Sequence, residues 1–575
     1  MNRSLLRSCF CSHESQLHSE WTGRDLNPRP PACEAGDLPL IYRPLPWEDN
    51  FINILFAFSV VTNDMEVNYD LIGIKPRQYQ LNIAREAIGK NSLVILPTGL
   101  GKTIIAAMLA TKALENGRKV ILVAPTRPLV DQHLKTFSQL FGNRKWIISG
   151  LTGHTKMKER KDIWNNSSMI ISTPQTVRGD ALRNLVNLSD FGLLIIDEAH
   201  RAIGNYAYVE IARAFMEKST GYLLAITASP GSNREHIEAI KDNLDIRKII
   251  IKTESDPDVV PFVQRTEKTA IYIDPDVKQM SVSKKLREAK QHQINAVAGN
   301  VSQISIYSSR KELTDLIRTL SARAVSGEKQ LFGTIPLITA CVRLDILCEY
   351  AESQGLELTY DYLHEMEESE DKSIRRTIFI LEKNPFFIEV RKELKDILKT
   401  YENGKFKKAL ELSERKISEG KGSKVIIFTH YRKTSQFLME YLKEHSAILK
   451  PLRFVGQSSR KGEQGMNQKS QREGIEKFRD GTYNVLVATS VAEEGLDIPS
   501  TDMVIFYEPV PSEIRSIQRR GRTGRFTPGE VFIMVFKNGR DIAYYNSSVR
   551  KESSMIGKMK KEMETKSATT LMDFS

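Results

Sequence analysis

A glycine-rich segment near residue 100 has the residue types of a phosphate-binding loop. It reads Leu-Pro-Thr98-Gly99-Leu-Gly101-Lys102-Thr103 and lies between an apolar run typical of a strand and a run typical of a helix. Gly99 and Gly101 let backbone N–H groups approach phosphate oxygens, and the helix N-terminus adds a favourable dipole. Lys102 would neutralise the β- and γ-phosphates, and Thr103 would ligate Mg²⁺. The segment therefore predicts a site for ATP and Mg²⁺.

Two adjacent carboxylates follow another apolar run, about a hundred residues further along the chain. The run Leu-Leu-Ile-Ile leads into Asp197-Glu198-Ala-His200. A buried strand that ends in two carboxylates would hold them beside the phosphate loop, where Asp197 would bind Mg²⁺ directly or through water. Glu198 would orient and deprotonate the attacking water. The pair predicts hydrolysis of the bound triphosphate.

A cluster of arginines between glycines lies in the C-terminal part of the chain. It reads Gln518-Arg-Arg-Gly-Arg522-Thr-Gly-Arg525. So many arginines do not fit a core, and the two glycines are unusual on a plain solvated face. Arginines that reach across a cleft to the γ-phosphate explain both features, because they stabilise transition-state charge only when two lobes close. We predict Arg522 and Arg525 in this role, with Gln518 near the phosphates.

Two regions of alternating apolar runs and helical stretches must position these residues. Continuous apolar runs such as Val-Ile-Leu-Val after Lys119 are typical of strands in a parallel sheet that is buried on both faces. Between the two regions such runs largely disappear, and amphipathic stretches at 278–301, 308–326 and 391–419 predict helices. The predicted fold class is α/β, with two parallel-sheet lobes and an all-helical insert between them. The predicted boundaries are 65–254 for lobe 1, 255–420 for the insert, 421–545 for lobe 2 and 546–575 for a charged tail.

The first 64 residues differ from the rest of the chain. They hold three of the five cysteines and show no sustained periodicity. We interpret 1–64 as a disordered or mis-called N-terminal extension, with a regulatory arm as the alternative.

The charge and the cysteine content indicate which class of partner and which cellular compartment to expect. The 575 residues include 83 Lys and Arg against 71 Asp and Glu, a formal net charge of +12. This excess favours a polyanionic partner, although a merely basic protein would show it too. The cysteines form no disulfide framework, which indicates a reducing compartment. The early apolar run at 51–61 is shorter than the roughly 20 residues that span a bilayer, so we expect a cytoplasmic protein without a membrane partner.

From Arg77 to Arg525 the order and spacing of short motifs resemble those of superfamily 2 helicases. The resemblance implies two RecA-like lobes with ATP in the cleft between them. It implies that Gln80 faces the adenine base and that Gly495 and Asp497 lie near the nucleotide. The residues that it assigns to nucleic-acid contact are Arg127, Thr173, Gln175, Arg432 and Thr489, and those that it assigns to coupling of hydrolysis with lobe movement are His200, Thr227 and Ser229.

A closer resemblance is to archaeal Hef and the Fanconi anaemia M translocases. It is carried by Phe-Val-Gly-Gln at 454–457 and by the runs at 487–499 and 506–525. The family implies ATP-driven 3′-to-5′ unwinding or branch migration of forked and branched DNA in replication-fork repair. We expect the protein to act at the nucleoid of a prokaryotic cell. Full-length Hef also carries a C-terminal XPF-type nuclease. Because the chain stops about fifty residues after the arginine cluster, we expect a helicase-only member with a separate nuclease as a possible partner.

Two alternative functions stay open. Double-stranded-RNA-dependent ATPases of the Dicer and sensor type share the insert position and much of the arginine motif. An ATP-switched scaffold would instead recruit a nuclease or a sliding clamp. The segment Ala568–Phe574 resembles a degenerate clamp-binding peptide, and a frayed terminus is the plainer interpretation.

Overall fold

The computed structural model describes residues 71, 73–142, 144–228, 234–263, 266–298, 304–305, 308–420, 422–457, 465–489, 498–510, 529–551, 553–554 and 557. All of them belong to one compact unit, residues 69–575. The extension predicted at 1–64 and the clamp-binding segment predicted at Ala568–Phe574 lie outside these residues.

Lobe 1 is built on a seven-stranded parallel sheet. Its strands are β1 (Ser92–Ile95), β2 (Lys119–Val123), β3 (Ile148–Leu151), β4 (Met169–Ser172), β5 (Phe191–Asp197), β6 (Tyr222–Thr227) and β7 (Lys248–Ile251). They follow the order β3-β4-β2-β5-β6-β1-β7. Every residue of β1, β4 and β5 is buried, as expected for a parallel sheet covered on both faces.

Helices cover both faces of this sheet. They are α1 (Gln78–Ala87), α2 (Lys102–Glu115), α3 (Arg127–Phe141), α4 (Met157–Asn166), α5 (Pro174–Leu182), α6 (Ala207–Lys218) and α7 (Arg234–Asn243). Because α2, α3 and α5 each begin just after a strand of the sheet, their N-termini lie at its carboxyl edge.

The insert is a helical body. Its helices are α8 (Val277–Ala298), α9 (Arg310–Val325), α10 (Leu331–Glu349), α11 (Leu356–Glu367), α12 (Lys372–Leu381) and α13 (Pro385–Leu398), with a π-helical turn at Tyr350–Gln354 between α10 and α11. The helices α8 and α9 match the stretches predicted at 278–301 and 308–326. The stretch predicted at 391–419 is two helices, because the side chain of Asn403 caps a new helix that begins at Gly404.

The helix at the centre of the insert is unusually apolar. By length and composition alone, the span Leu331–Gln354 would be able to cross a membrane. Its residues Leu344, Leu347 and Cys348 are buried among the other helices of the insert. The part of the span from Ile338 onward therefore has the contacts of a core helix.

Lobe 2 is built on a six-stranded parallel sheet. Its strands are β8 (Thr266–Ile273), β9 (Val425–Phe428), β10 (Pro451–Phe454), β11 (Val485–Ala488), β12 (Met503–Phe506) and β13 (Gly529–Phe536), in the order β10-β11-β9-β12-β13-β8. Its helices are α14 (Gly404–Glu419), α15 (Arg432–His445), α16 (Gln468–Arg479) and a helical run over residues 540–551.

Two elements from the range predicted for the insert belong to lobe 2. The strand β8 pairs with β13 along all eight of its residues, and Phe406, Ala409 and Leu412 of α14 are buried in the core of lobe 2. The sequence of β8, Thr-Glu-Lys-Thr-Ala-Ile-Tyr-Ile, hides the strand because it is half polar, as an edge strand can be. The helical insert itself spans Val277–Leu398, between β8 and α14.

Candidate active site

The carboxyl ends of the strands in lobe 1 divide into two halves. The phosphate loop follows β1, Asp197 ends β5 and Thr227 ends β6, and these three strands are neighbours in the sheet. On the other side of β5, the helices that follow β2 and β4 begin at Arg127 and Pro174. Parallel strands place their carboxyl ends at one edge, where open α/β sheets bind ligands. The ends of β1, β5 and β6 therefore form a half of the edge that is suited to a nucleotide. The starts of the helices after β2 and β4 form the neighbouring half, which carries the predicted nucleic-acid residues.

Two glycines in left-handed backbone conformations shape the phosphate loop. The φ angle is +81° at Gly99 and +78° at Gly101, a region that favours glycine. Lys102 follows as the first residue of α2, and its Nζ donates to the carbonyl oxygens of Leu96 at 3.0 Å and Pro97 at 3.3 Å. The ammonium group thus lies within the loop, where phosphate oxygens would become its partners.

Gln80 is buried against the back of the phosphate loop. Its Nε2 donates to the carbonyl oxygen of Leu100 at 3.0 Å, and its Oε1 accepts from the N–H of Arg77 at 2.9 Å. The hydroxyl of Tyr79 donates to the same carbonyl of Leu100 at 2.7 Å. A Cβ on Gly101 would lie 2.4 Å from Nε2 of Gln80. The structure thus places Gln80 as a support of the loop, and its role in reading adenine stays a prediction.

Asp197 is held by three hydrogen bonds at the end of β5. Its Oδ2 accepts from Nε2 of His133 at 2.8 Å, and its Oδ1 accepts from the N–H of Glu198 at 3.0 Å. The hydroxyl of Tyr208 donates to its backbone carbonyl at 2.7 Å. Burial raises the pKa of Asp197, but the hydrogen bond and charge of His133 and the charge of Lys102 outweigh burial and bring this pKa below its ordinary value. The carboxylate is therefore ionised.

Glu198 connects the carboxylate pair to the coupling residues. Its backbone is left-handed, with φ at +50° and ψ at +51°. Its Oε2 lies 3.3 Å from Nδ1 of His200, and the same nitrogen lies 3.2 Å from Oγ1 of Thr227. The carbonyl of Thr227 accepts from the N–H of Leu96 at 3.1 Å. The predicted base, the predicted coupling residues His200 and Thr227 and the start of the phosphate loop therefore form one connected set.

The residues around the loop fit a magnesium ion that is bound together with phosphates. Among the residues that the structure describes, no group of three or more His, Cys, Asp or Glu could hold a metal ion. Mg²⁺ is usually held by one or two protein groups, with phosphate oxygens and water as the other ligands. The ionised Asp197 and the hydroxyl of Thr103 at the start of α2 supply such a pair. Thr98, in the loop itself, is half-buried. When bound, the ion would offset the negative charge of the phosphates.

The predicted nucleic-acid residues of lobe 1 differ in exposure. Arg127 and Gln175 are exposed at the starts of α3 and α5, and Arg127 contacts the ring of His154 in the loop after β3. Thr173 is only 8% exposed, and its hydroxyl shares a hydrogen bond of 2.8 Å with that of Thr176. Arg127 and Gln175 are thus accessible to a nucleic-acid strand. The hydroxyl of Thr173, in contrast, already has a partner, Thr176, in the first turn of α5.

The described nucleic-acid residues of lobe 2 lie at the carboxyl edge of its sheet. Arg432 begins α15, and its Nη2 donates to the carbonyl of Gly456 at 3.3 Å. Thr489 follows β11, is 6% exposed, and its N–H donates to the carbonyl of Phe454 at 3.1 Å. Their contacts to a nucleic acid stay predictions. The other residues predicted for this site lie outside the described part of the chain: Ser229, Gly495, Asp497, Gln518, Arg522 and Arg525.

The structure adds residues that the sequence analysis missed. His133 and Tyr208 hold Asp197, and His154 contacts Arg127. A signal for His133 was present, because it occupies the apolar face of α3 between Val130 and Phe137, where the helical period places buried residues. A polar side chain at such a position needs a buried partner. Tyr208 gave no comparable signal, since a tyrosine on an apolar helix face is an ordinary core residue.

Two family models match the lobes. Residues 77–237 match the DEAD/DEAH box helicase model, and residues 404–527 match the helicase conserved C-terminal domain. The second match begins at the start of α14, in agreement with the packing of that helix in lobe 2.

Several proteins are similar over most of the chain. A protein of Methanocaldococcus jannaschii named as an ATP-dependent RNA helicase is 35% identical over 486 residues, which cover 84% of this chain and 60% of that protein. The ATP-dependent DNA helicase mph1 of Aspergillus oryzae is 32% identical, over 82% of this chain and 44% of that protein. The Fanconi anemia group M protein homolog of Mus musculus is 30% identical, over 82% of this chain and 25% of that protein. The chain thus spans between a quarter and three-fifths of these relatives.

One solved structure is similar over nearly its whole length. The Hef helicase domain of Pyrococcus furiosus is 36% identical and superimposes with a TM-score of 0.63, over 82% of this chain and 98% of that domain. Because the two predicted lobes together make up little more than half of the chain, a match of this extent also includes much of the insert.

Proposed function

This chain belongs to the DEAD/DEAH-box helicase family of the Hef helicase domain, and from that premise we propose that it is an ATP-dependent DNA helicase or translocase. The finer proposal is that it acts on forked or branched DNA in replication-fork repair, with 3′-to-5′ polarity. The polarity rests on the family resemblance alone. We also propose that it acts at the nucleoid, in a prokaryotic cytoplasm.

One observation carries the proposal. At the carboxyl edge of lobe 1, the residues predicted for ATP and Mg²⁺ lie after β1 and at the end of β5, and the exposed Arg127 and Gln175 lie on the other side of β5. A motor needs this adjacency because hydrolysis at one site must change the grip at the other. Contacts to the backbone of a nucleic acid fix its position without reading the bases, so we expect recognition of DNA structure rather than of sequence.

The names of the relatives leave a choice between DNA and RNA. The fungal relative is named a DNA helicase, whereas the archaeal relative is named an RNA helicase. The Hef resemblance at 506–525 favours DNA. A sliding clamp and a separate nuclease remain proposed partners. The competing proposal is a scaffold function, in which this protein recruits those partners and does not itself move along DNA.

The test is ATP turnover at one stated salt concentration with four matched ligands: forked DNA, linear duplex DNA, single-stranded DNA and double-stranded RNA. We expect the strongest stimulation by forked DNA. A Lys102→Ala variant should lose turnover with every ligand, because the phosphates lose their main cationic partner. Preferential stimulation by double-stranded RNA would contradict the DNA proposal. Absence of stimulation by all four ligands would favour the scaffold.

A further inference from the structure

The inner face of α3 carries a histidine that reaches the predicted metal ligand. His133 is 7% exposed, and its Nε2 lies 2.8 Å from Oδ2 of Asp197. Because an ionised carboxylate can only accept, Nε2 of His133 carries the proton and donates it. The ring also packs beside Phe137, with the ring centroids 6.2 Å apart. The imidazole is therefore fixed by packing on one side and by the carboxylate on the other.

The helix that carries His133 also holds contacts of other kinds. It begins at Arg127, which is exposed in the half of the edge proposed for nucleic acid. One turn later, Asp131 forms an ion pair with Arg472 of lobe 2. His133 follows on the buried side. The helix α3 thus touches the proposed nucleic-acid site, the other lobe and the metal ligand within seven residues.

Neither of the other two hydrogen bonds of Asp197 joins its carboxylate to a helix in the nucleic-acid half. One comes from the N–H of Glu198, the next residue in the chain. The other comes from the hydroxyl of Tyr208, which bonds the backbone carbonyl and also lies 3.5 Å from the carbonyl of Val123 at the end of β2. Among these three bonds, the one from His133 joins the carboxylate itself to a helix in the nucleic-acid half of the edge. Movement of α3 would therefore reach the Asp197 carboxylate through this imidazole.

We propose that His133 is a positioning residue that orients the Asp197 carboxylate for Mg²⁺ and links the position of α3, with Arg127 at its start, to the metal site. The inference rests on the proposed ATP and Mg²⁺ site and goes beyond it by naming the group that aims its carboxylate. Groups that hold a metal ligand from behind typically contribute a factor of about 10–100 in metal affinity or activity.

The test separates the donor from the packing of the same side chain. His133→Leu keeps an apolar side chain against Phe137 and removes the donor, and His133→Ala is a second variant without the donor. His133→Gln places an amide N–H near the position of Nε2 and should rescue. Phe137→Leu is the matched control, because it disturbs the same buried face and leaves the bond to Asp197 in place.

The first readout is binding of a fluorescent ADP analogue, with EDTA and then across a Mg²⁺ titration. We expect all variants to match the wild type in EDTA. In His133→Leu and His133→Ala, the Mg²⁺ concentration at half-saturation should rise by about tenfold or more, while His133→Gln and Phe137→Leu stay near the wild type. The second readout is ATP turnover with and without forked DNA, in which the donor-free variants should lose most of the stimulation.

The outcomes distinguish this inference from the proposed function. Wild-type Mg²⁺ dependence and wild-type stimulation in either folded donor-free variant would overturn the role of His133. An equal defect in Phe137→Leu, or a failure of His133→Gln to rescue, would reduce His133 to a packing residue and overturn it as well. If the wild-type chain itself showed no Mg²⁺-dependent nucleotide binding, the proposed function would fail first.

Discussion

At the scale of single residues, Glu198 combines backbone strain with a side chain that lies close to His200. A left-handed conformation costs a non-glycine residue about 1 kcal/mol or more and persists only where the surroundings hold it. Here its Oε2 lies 3.3 Å from Nδ1 of His200, and the carbonyl of His200 accepts from Nε2 of His236 at 3.0 Å. This arrangement suits a carboxylate that must be held still beside the phosphates.

A Glu198→Gln variant tests that role. The amide keeps the size of the side chain but cannot take a proton from water, so we expect turnover to fall by about a hundredfold or more while nucleotide stays bound. Turnover and fluorescent nucleotide binding are measured together. Glu217→Gln, an exposed change on α6, should behave as the wild type. Normal turnover in Glu198→Gln would show that another group activates the water.

The chemistry of the site could be predicted residue by residue where it depends on local order. The loop that ends at Lys102 and the pair Asp197-Glu198 each combine a characteristic residue set with a neighbouring strand, and the structure brings them together. The roles of His133 and Tyr208 could not be predicted. Their shared partner, Asp197, is 64 residues from His133 and 11 residues from Tyr208 in the chain. A contact of this kind is set by packing, which local patterns do not encode.

At the scale of elements, a buried lysine forms an ion pair inside lobe 2 and also reaches the insert. Nζ of Lys405, in the first turn of α14, lies 2.6 Å from Oδ2 of Asp541, and neither side chain is exposed. The same ammonium donates to the carbonyl of Ser353 in the π-helical turn at 2.8 Å. It also lies 4.6 Å from the ring centroid of Phe536. Three elements therefore depend on one lysine.

A Lys405→Met variant should be strongly destabilised. Loss of the ammonium leaves a buried carboxylate without its counter-charge, which typically costs about 3–5 kcal/mol in the free energy of unfolding. Urea unfolding followed by circular dichroism measures the loss. The double change Lys405→Met with Asp541→Leu should recover part of it, because no charge is then left buried. Lys408→Met, on the same helix but half-exposed, should change stability by about 0.5 kcal/mol or less.

Equal stability of Lys405→Met and Lys408→Met would show that water reaches Asp541.

The sequence predicted α14 as a helix but assigned it to the insert, because its charges resemble those of an exposed surface. The burial of Lys405 explains the error: a single lysine on the inner face is neutralised by a residue 136 positions later. The position of β8 in the sheet of lobe 2 was hidden for a related reason, since its pairing strand follows the whole insert in the chain.

At the scale of the whole molecule, a network of charges connects the insert to lobe 2, in addition to the hydrogen bond from Lys405 to Ser353. Asp345 of α10 accepts from Lys290 at 2.8 Å and from Arg540 of lobe 2 at 2.8 Å. Burial raises the pKa of Asp345, but Arg540 and Lys290 outweigh burial and hold this pKa well below its ordinary value. Arg540 also lies 3.2 Å from Glu352. Two acidic residues of the insert are therefore neutralised in part by an arginine across its boundary.

Because of this network, we expect the insert to move together with lobe 2. Tyr431, which precedes the predicted nucleic-acid residue Arg432, donates to Glu349 of α10 at 2.6 Å. A change in the grip of lobe 2 on DNA would therefore be transmitted to α10. None of these pairings could be predicted from sequence, because each joins residues that are far apart in the chain.

Arg540→Ala should weaken this connection without reaching the phosphate loop. We expect unstimulated ATP turnover to remain, and stimulation by forked DNA to fall by about fivefold or more, the range of a typical coupling free energy. Hydrogen exchange should rise in the π-helical turn at Tyr350–Gln354.

Arg287→Ala is the matched control: its Nε also binds Glu352, at 2.7 Å, but it lies on α8 inside the insert. If both variants lost stimulation equally, the charge on Glu352 would matter and the link across the boundary would not. If neither variant changed stimulation, the insert would respond to DNA independently of lobe 2.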